Sequence, residues 1–536
     1  MTKLLSFFLL FAFVLTGTPV RSLAADPTTS ILKTPAAPRF TDAERHAELA
    51  KRRAAVAAEM ADKSIMVLFS AEPKLYTNDV DYVYRQENNL YYLTALKQAG
   101  ATFVMVKDGA TVSEYLFIPK REPRKEAWEG RMYSRDDVTR LSGLKTIIDA
   151  AERDAFLAAL KAKQPFASKD GGIVIPTTAE NIYLLTPKNA EDSLGKREYR
   201  QEAEYTNGLD TKITNAQDIF AKLRHIKSPY ELKMMQHAID ISAEAHTRAI
   251  AMVGRADWEY EVHAEVEYTF RRRNADFWGY PSIVGCGGNA TTLHYVESQS
   301  PVKKGELLLM DVGAEYEHYT ADITRTFPVN GKFSKEQAEI YQIVYDAQEA
   351  VAKATKPGVT FNQLSMVARN KIAEGLQKLG LIQDYVAPTK PEEMFTPRSQ
   401  QVRVWFIHGL GHWLGMNVHD VGDYGAPLKA GMIYTNEPGI YIREDALDNL
   451  PNNPQLNAFK EKVKPMYEKY KNIGVRIEDD MLVTETGVTW MTGKIPRSIA
   501  DIEAFMAKAS KELQWSAKKI NGGELVESAV AANLRR

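Results

Sequence analysis

Four carboxylates are set into strand-like apolar runs of this chain, and few folds can accommodate them. Asp311 closes the run LLLM, Asp322 precedes ITRTFPV, Glu437 stands in MIYTNEPGIYI and Glu478 in VRIEDDMLVT. A lone carboxylate inside an apolar strand is costly, because burial removes its hydration without supplying a partner. Asp311 and Asp322 lie eleven positions apart. In a hairpin with a two-residue loop, paired residues differ by an odd number and share a face, so these two carboxylates can sit opposite each other. Opposed buried carboxylates repel, and a shared proton or a bridging cation relieves them. For this pair alone a solvated surface hairpin is the better reading. The two glutamates, with His412 in HGLGHWLGMNVHD, reverse the balance. Four carboxylates and one imidazole suit two divalent cations bridged by an added hydroxide. The oxygen-rich set favours Mn2+, while affinity alone is compatible with Zn2+ or Co2+.

The chain around these residues reads as two folded units. Short runs at 64–69 (SIMVLF), 101–106 (ATFVMV) and 114–118 (EYLFI) are strand-like, with helical stretches such as DAFLAALKAK between them. This gives a smaller α/β domain over 61–215, after a lead-in over 26–60 that turns helical at the capping box TDAE from Thr41. Ser228, Pro229 and Glu231 open a long helix at the start of a second domain, 216–500. Further capping boxes at Ser334 to Gln337 and Thr360 to Gln363 flank the stop signal Lys356-Pro357-Gly358. Helices and hairpin-like strands alternate there without βαβ rhythm, so the class is α+β, an antiparallel sheet flanked by helices. Residues 444–472 read as a charged surface excursion, and 501–536 as a helical tail.

Lys3, the apolar run Leu4 to Leu15 and the small residues ending Ser22-Leu23-Ala24-Ala25 have the layout of a signal peptide over 1–25. The run is shorter than the roughly 20 residues that span a bilayer. The expectation is an exported protein, periplasmic or extracellular, with no membrane attachment after cleavage. Lysine plus arginine (68) balances aspartate plus glutamate (69), which leaves no field for nucleic acid. The single cysteine, Cys286, forms no internal disulfide.

LLLMDVGAEYEHYTADITRTFPVNGKFS, HGLGHWLGMNVHDVG, NEPGIYI and VRIEDDMLVTETG together resemble the ordered metal-site motifs of the pita-bread metallopeptidases, in the aminopeptidase P and prolidase branch. YPSIVGCGGNATTLHY and DYVYRQENNLYYLT are similar to an active-site histidine segment and the N-terminal domain motif of that family. The resemblance implies Asp311, Asp322, His412, Glu437 and Glu478 as ligands of two metal ions. It implies His294, His408 and His419 as pocket histidines, Glu437 as proton shuttle and Arg476 as the orienter of a ligand carboxylate. It further implies a homo-oligomer, dimer or tetramer, and hydrolysis of the bond before a proline in second position by a metal-bridging hydroxide. A prolidase restricted to Xaa-Pro dipeptides shares the same motifs. A metal-free peptide-binding protein or a creatinase-like hydrolase of the fold would lack several of the ligands.

Gly409, Gly411 and Gly415 argue against placing His408 and His412 on a zinc-protease helix, and favour loop or strand geometry. GLGHWLG departs from a nucleotide loop in spacing. Cys286 reads as a core residue rather than a nucleophile. His46, His225, His237, His246 and His263 read as structural or solvent-facing, and His318 as a turn residue without a metal role. Trp128 resembles an aromatic that reaches a neighbouring subunit in the family, against the commoner role of packing.

Overall fold

The computed structural model describes residues 30–169, 171–189, 191–387 and 400–513. The expected leader, and residues 514–536 of the expected tail, lie outside the described residues.

All four expected capping boxes close, at Thr41, Ser228, Ser334 and Thr360. They open the helices Asp42–Glu59, Pro229–Met252, Lys335–Ala354 and Phe361–Lys378. The three expected N-terminal strands form Ser64–Phe69, Thr102–Asp108 and Thr111–Ile118. They occupy the middle of a mixed six-stranded sheet completed by Asn181–Leu184, Lys212–Asn215 and Ile147–Asp149. Every residue of Ser64–Phe69 is buried, as a continuous apolar run requires when both sheet faces are covered. One face packs Phe117, Phe156 and Phe166. The other packs Leu90, Leu93 and Phe103 in a core that continues through Met235 and Ala238 to Ile323 and Leu414. The two domains therefore share a core.

The second domain carries small antiparallel sheets. Ile283–Cys286, Leu307–Asp311 and Thr324–Pro328 form one; Ile433–Asn436, Asp479–Val483 and Val488–Trp490 form another. Gly439–Ile442 pairs with Ile473–Arg476. Helix Pro229–Met252 is buried along most of its length and bridges the cores of both domains. Residues 30–40 cross this helix: the amide of Leu32 donates to Thr247 and that of Thr34 to Glu244, while Phe40 stacks on Tyr230 at 3.9 Å.

Two local expectations need correction. Residues 444–472 are more than a surface excursion, because they contain the helix Pro454–Tyr470. Phe459, Val463, Tyr467 and Tyr470 recur at helical spacing and join the main core. The chain between Asp311 and Asp322 is also longer than a simple turn. It folds into its own hairpin, Ala314–Tyr316 with Tyr319–Thr320, turning at Glu317 and His318 with φ of 49° and 65°. Asp311 consequently pairs with Thr324, and Asp322 is set diagonally to it instead of opposite.

Candidate metal centre

The strands bring the polar residues to one place. Asp311 ends its strand, Asp322 stands two residues before Thr324–Pro328, and Glu437 and Glu478 each lie just beyond a strand end. The segment from His408 to His412 is not helical. It lies along the strand bearing Glu437: the amides of Thr435 and Glu437 donate to the carbonyls of His412 and Leu410. A Cβ at Gly411 would lie 2.0 Å from the Thr435 carbonyl, so only glycine permits that approach.

All nine residues expected at the site line a single cavity of about 560 Å3: His294, Asp311, Asp322, His408, His412, His419, Glu437, Arg476 and Glu478. Ligand atoms of Asp322, His412 and Glu478 lie within 4.8 Å of one another. His412 Nδ1–H donates to the Trp413 carbonyl at 3.1 Å. Its Nε2 therefore faces Asp322 at 3.2 Å and Glu437 at 3.4 Å, the tautomer a metal-binding imidazole needs. Glu478 accepts from Thr324 Oγ1 at 2.6 Å, and Glu437 from Thr435 Oγ1 at 3.0 Å.

The electrostatics of the metal-free cluster report its excess negative charge. Burial, then the Asp322, Glu437 and Asp311 charges, raise Glu478 well above the usual carboxylate range. Burial and Asp311 likewise raise Asp322. Glu437 is raised to about 7 by burial, with the His412 charge opposing and Asp322 reinforcing. Burial resists charge on His412, yet its bond to Asp322 and the field of Glu437 raise it to about 9. Protonated His412 is thus the local stand-in for a cation. Hard carboxylates converging in a buried site with one correctly oriented imidazole fit divalent metal ions.

Two other imidazoles of the cavity, His408 and His419, are held neutral. His408 falls to about 3 through burial and the Arg476 charge. Its Nδ1–H donates to the Gly409 carbonyl and its Nε2 accepts from Tyr441. His419 falls to about 4 through burial and the nearby His412 charge, their ring centres 4.0 Å apart. Arg476 bonds Asp311 Oδ2 at 2.5 Å, Thr324 Oγ1 at 3.0 Å and the Tyr441 hydroxyl at 2.8 Å.

Two residues escaped the sequence reading. The hydroxyl of Tyr280 lies 2.5 Å from Asp311 and 2.6 Å from Asp322, with one proton to share between two carboxylates. Tyr441 links Arg476 to His408. Both tyrosines lie inside motifs already noted, and the signal was a phenol beside a strand rather than a charge. Outside the cavity, Cys286 is buried, its thiol pushed up to about 12 by burial, in keeping with a core role. His46, His225, His237, His246, His263 and His318 do not line the cavity. His318 is buried and stacks on Tyr91 at 3.8 Å.

Arg476→Met is expected to remove the ion pair to Asp311 and the bond to the Tyr441 hydroxyl. Breaking a buried ion pair on one side costs about 3–5 kcal/mol, and loss of an outer partner weakens metal binding about 10- to 100-fold. Chemical denaturation and metal competition titration check both; wild-type values for each would contradict the role.

An α+β domain holding buried carboxylates and an imidazole at the floor of an open cavity defines a metallohydrolase. Residues 233–485 match the model of metallopeptidase family M24, and residues 49–166 match the N-terminal domain of aminopeptidase P. The chain is 34% identical to the Xaa-Pro aminopeptidase of Haemophilus influenzae over 464 residues, covering 86% of this chain and 97% of that protein. Aminopeptidase P of Escherichia coli, in a low-pH form, superposes with a TM-score of 0.72 at 30% identity, over 88% of this chain and 100% of that one. Aminopeptidase PepP of Pseudomonas aeruginosa gives 0.73 at 32% identity, over 88% and 99%. The chain belongs to metallopeptidase family M24, the pita-bread fold with an aminopeptidase P N-terminal domain. It is a hydrolase of peptide bonds that uses divalent metal ions.

Proposed function

We propose that this protein is an Xaa-Pro aminopeptidase, which releases the first residue of peptides whose second residue is proline. The observation that carries this reading is the convergence of all nine expected residues on one cavity, in a chain matching Xaa-Pro aminopeptidases over almost their whole length.

Asp311, Asp322, His412, Glu437 and Glu478 would hold two ions, whose charge four carboxylates largely offset, and the oxygen-rich donors favour Mn2+. Bound ions would supply a Lewis acid and bring the pKa of a coordinated water from about 15.7 towards about 7. Glu437, at the cavity wall, can take a proton at its carboxylate and return it to the leaving nitrogen. That step matters because the proline nitrogen carries no hydrogen in the peptide. Neutral His419, with His294 at the cavity wall, can donate to substrate oxygens without adding charge, while neutral His408 is fixed in the wall by Gly409 and Tyr441. Pro281, Leu293, Val296, Val418 and Tyr424 give the cavity an apolar side suited to a peptide and its proline ring, and Val296 and Tyr424 keep exposed surface at the rim.

The test is hydrolysis of Xaa-Pro-Xaa, Xaa-Ala-Xaa and Xaa-Pro. Release of the first residue from Xaa-Pro-Xaa, with Xaa-Ala-Xaa cut far more slowly, is expected. Cleavage confined to Xaa-Pro would make the enzyme a prolidase, and equal cleavage before alanine would remove the proline specificity.

The leader layout supports export, which sequencing the N-terminus of the secreted or periplasmic protein checks. No helix among the described residues is long and apolar enough to cross a membrane. Trp128 is 89% exposed, and Leu75, Tyr76, Tyr82 and Val83 form a further exposed apolar stretch. These support a homo-oligomer, dimer or tetramer, and a monomeric mass in light scattering would overturn it.

A further inference from the structure

The N-terminal domain reaches the loop that carries Val418 and His419 through a short polar segment, Arg85-Gln86-Glu87-Asn88-Asn89, at the start of helix Asn88–Thr94. Arg85 Nε donates to both carboxylate oxygens of Glu315 at 2.8 and 3.0 Å, and its NH2 donates to the Met416 carbonyl at 2.7 Å. Arg85 NH1 also holds Asn88 Oδ1 at 3.0 Å, which leaves Asn88 Nδ2 to donate to Asn417 Oδ1 at 2.7 Å. Asn89, oriented by Glu87, accepts from Arg224 at 2.8 Å, and Arg224 donates to Asp420 Oδ1 at 2.5 Å. Lys227 takes the other oxygen of Asp420 at 3.3 Å.

These ties end on Met416, Asn417 and Asp420, and between them lie Val418 and His419, two residues of the cavity wall. The loop has little backbone bonding of its own: Gly415 donates to Asn417, Asp420 to Trp413, and Thr320 donates to Gly415. It belongs to no helix or strand, so its shape depends on what grips it. Charge-assisted bonds to buried groups are the strongest grips available in a protein, and the guanidinium fork fixes direction as well as distance.

We propose that Arg85 and Asn88, with the relay from Asn89 through Arg224 to Asp420, are positioning residues that set His419 and Val418 against the substrate. The proposal rests on the aminopeptidase reading. It makes the N-terminal domain part of the active site's frame, beyond any role in docking or assembly. A misplacement of about 1 Å in a substrate-contacting group can lower the rate about 100-fold, so small shifts of this loop matter.

The test compares the full-length, metal-loaded wild type with Asn88→Ala, Arg85→Lys and Lys97→Ala. Lysine at 85 can keep a bond to Glu315 but cannot fork to Met416 as well. Lys97 pairs with Asp276 at 3.0 Å and Glu317 at 3.3 Å, across the same domain boundary but away from the loop. Asn88→Ala and Arg85→Lys are expected to lower kcat on Xaa-Pro-Xaa about 10- to 100-fold. Their metal content should stay unchanged, and their Tm should fall no further than that of Lys97→Ala, which keeps its kcat. Hydrogen–deuterium exchange over residues 412–422 is expected to quicken in the first two variants and not in the third. This readout speaks to the brace whether or not the wild type cuts that peptide, whereas an inactive wild type counts against the aminopeptidase reading alone. Unchanged exchange in Asn88→Ala and Arg85→Lys, or an equal kcat loss in Lys97→Ala, would overturn the proposal.

Discussion

Glu437→Ala is expected to lower kcat on an Xaa-Pro-Xaa peptide by about 1,000-fold, the middle of the range for loss of a positioned acid–base group. The reason lies in its surroundings. Its carboxylate is hydrogen-bonded by Thr435 and lies 3.4 Å from His412 and 3.7 Å from His408. Its carboxylate lines the cavity, where a proton can be both taken and given. Because Glu437 is also proposed to hold metal, the variant must be assayed at saturating metal with bound metal counted. A loss that persists with two ions bound assigns the effect to proton transfer. Full recovery on adding metal would reduce Glu437 to a ligand. Glu437→Asp, which keeps the carboxylate but withdraws it by one methylene, is expected to fall between the two.

Metal loading of the stripped protein is expected to release more than one proton at pH 7, so that affinity weakens by more than about 10-fold per unit as pH falls from about 8 to 6. His412, raised to about 9, is protonated at pH 7 and must lose that proton to bind. Glu437, near 7, contributes a fraction, and the upward shift of Glu478 acts in the same direction. Calorimetry in two buffers of different ionisation heat counts these protons. Release of fewer than one would mean that the cluster is not the metal site.

The same shifts fix the sign of apo stability. A carboxyl raised in the folded state stabilises it only while protonated, and so does a raised histidine. Both contributions are lost as pH rises, over the window from about pH 5 to pH 9. Depressed His408 and His419 act oppositely up to about pH 6.5, so metal-free protein should lose stability from about pH 7 to pH 9, and metal should restore most at the alkaline end.

Much of this site could be read from sequence because its chemistry is concentrated in short segments with strong local rules. Ser228 and Glu231 satisfy a helix start by themselves, and the six apolar residues from Ser64 to Phe69 admit little but a buried strand. The buried carboxylates were legible because one such as Glu478, 1% exposed, has few reasons to stand in an apolar run. The hairpin between Asp311 and Asp322 was not, because its left-handed turn uses Glu317 and His318 where Asn-Gly is the usual signal. Helix Pro454–Tyr470 was obscured by the lysines and glutamates around its apolar face, although Asn453 caps it and Pro454 opens it. Tyr280 and Tyr441 carry no charge to mark them, and the bonds from Arg85 and Asn88 to the 415–420 loop join residues about 330 positions apart. Such contacts exist only once both domains have folded onto their common core.

The most direct test is to strip the protein of metal, titrate it with Mn2+, and follow release of the first residue from an Xaa-Pro-Xaa peptide. Activity absent at the start and rising until two ions are bound per chain is the predicted result. Undiminished activity in the stripped protein, or none after two ions have bound, would contradict it.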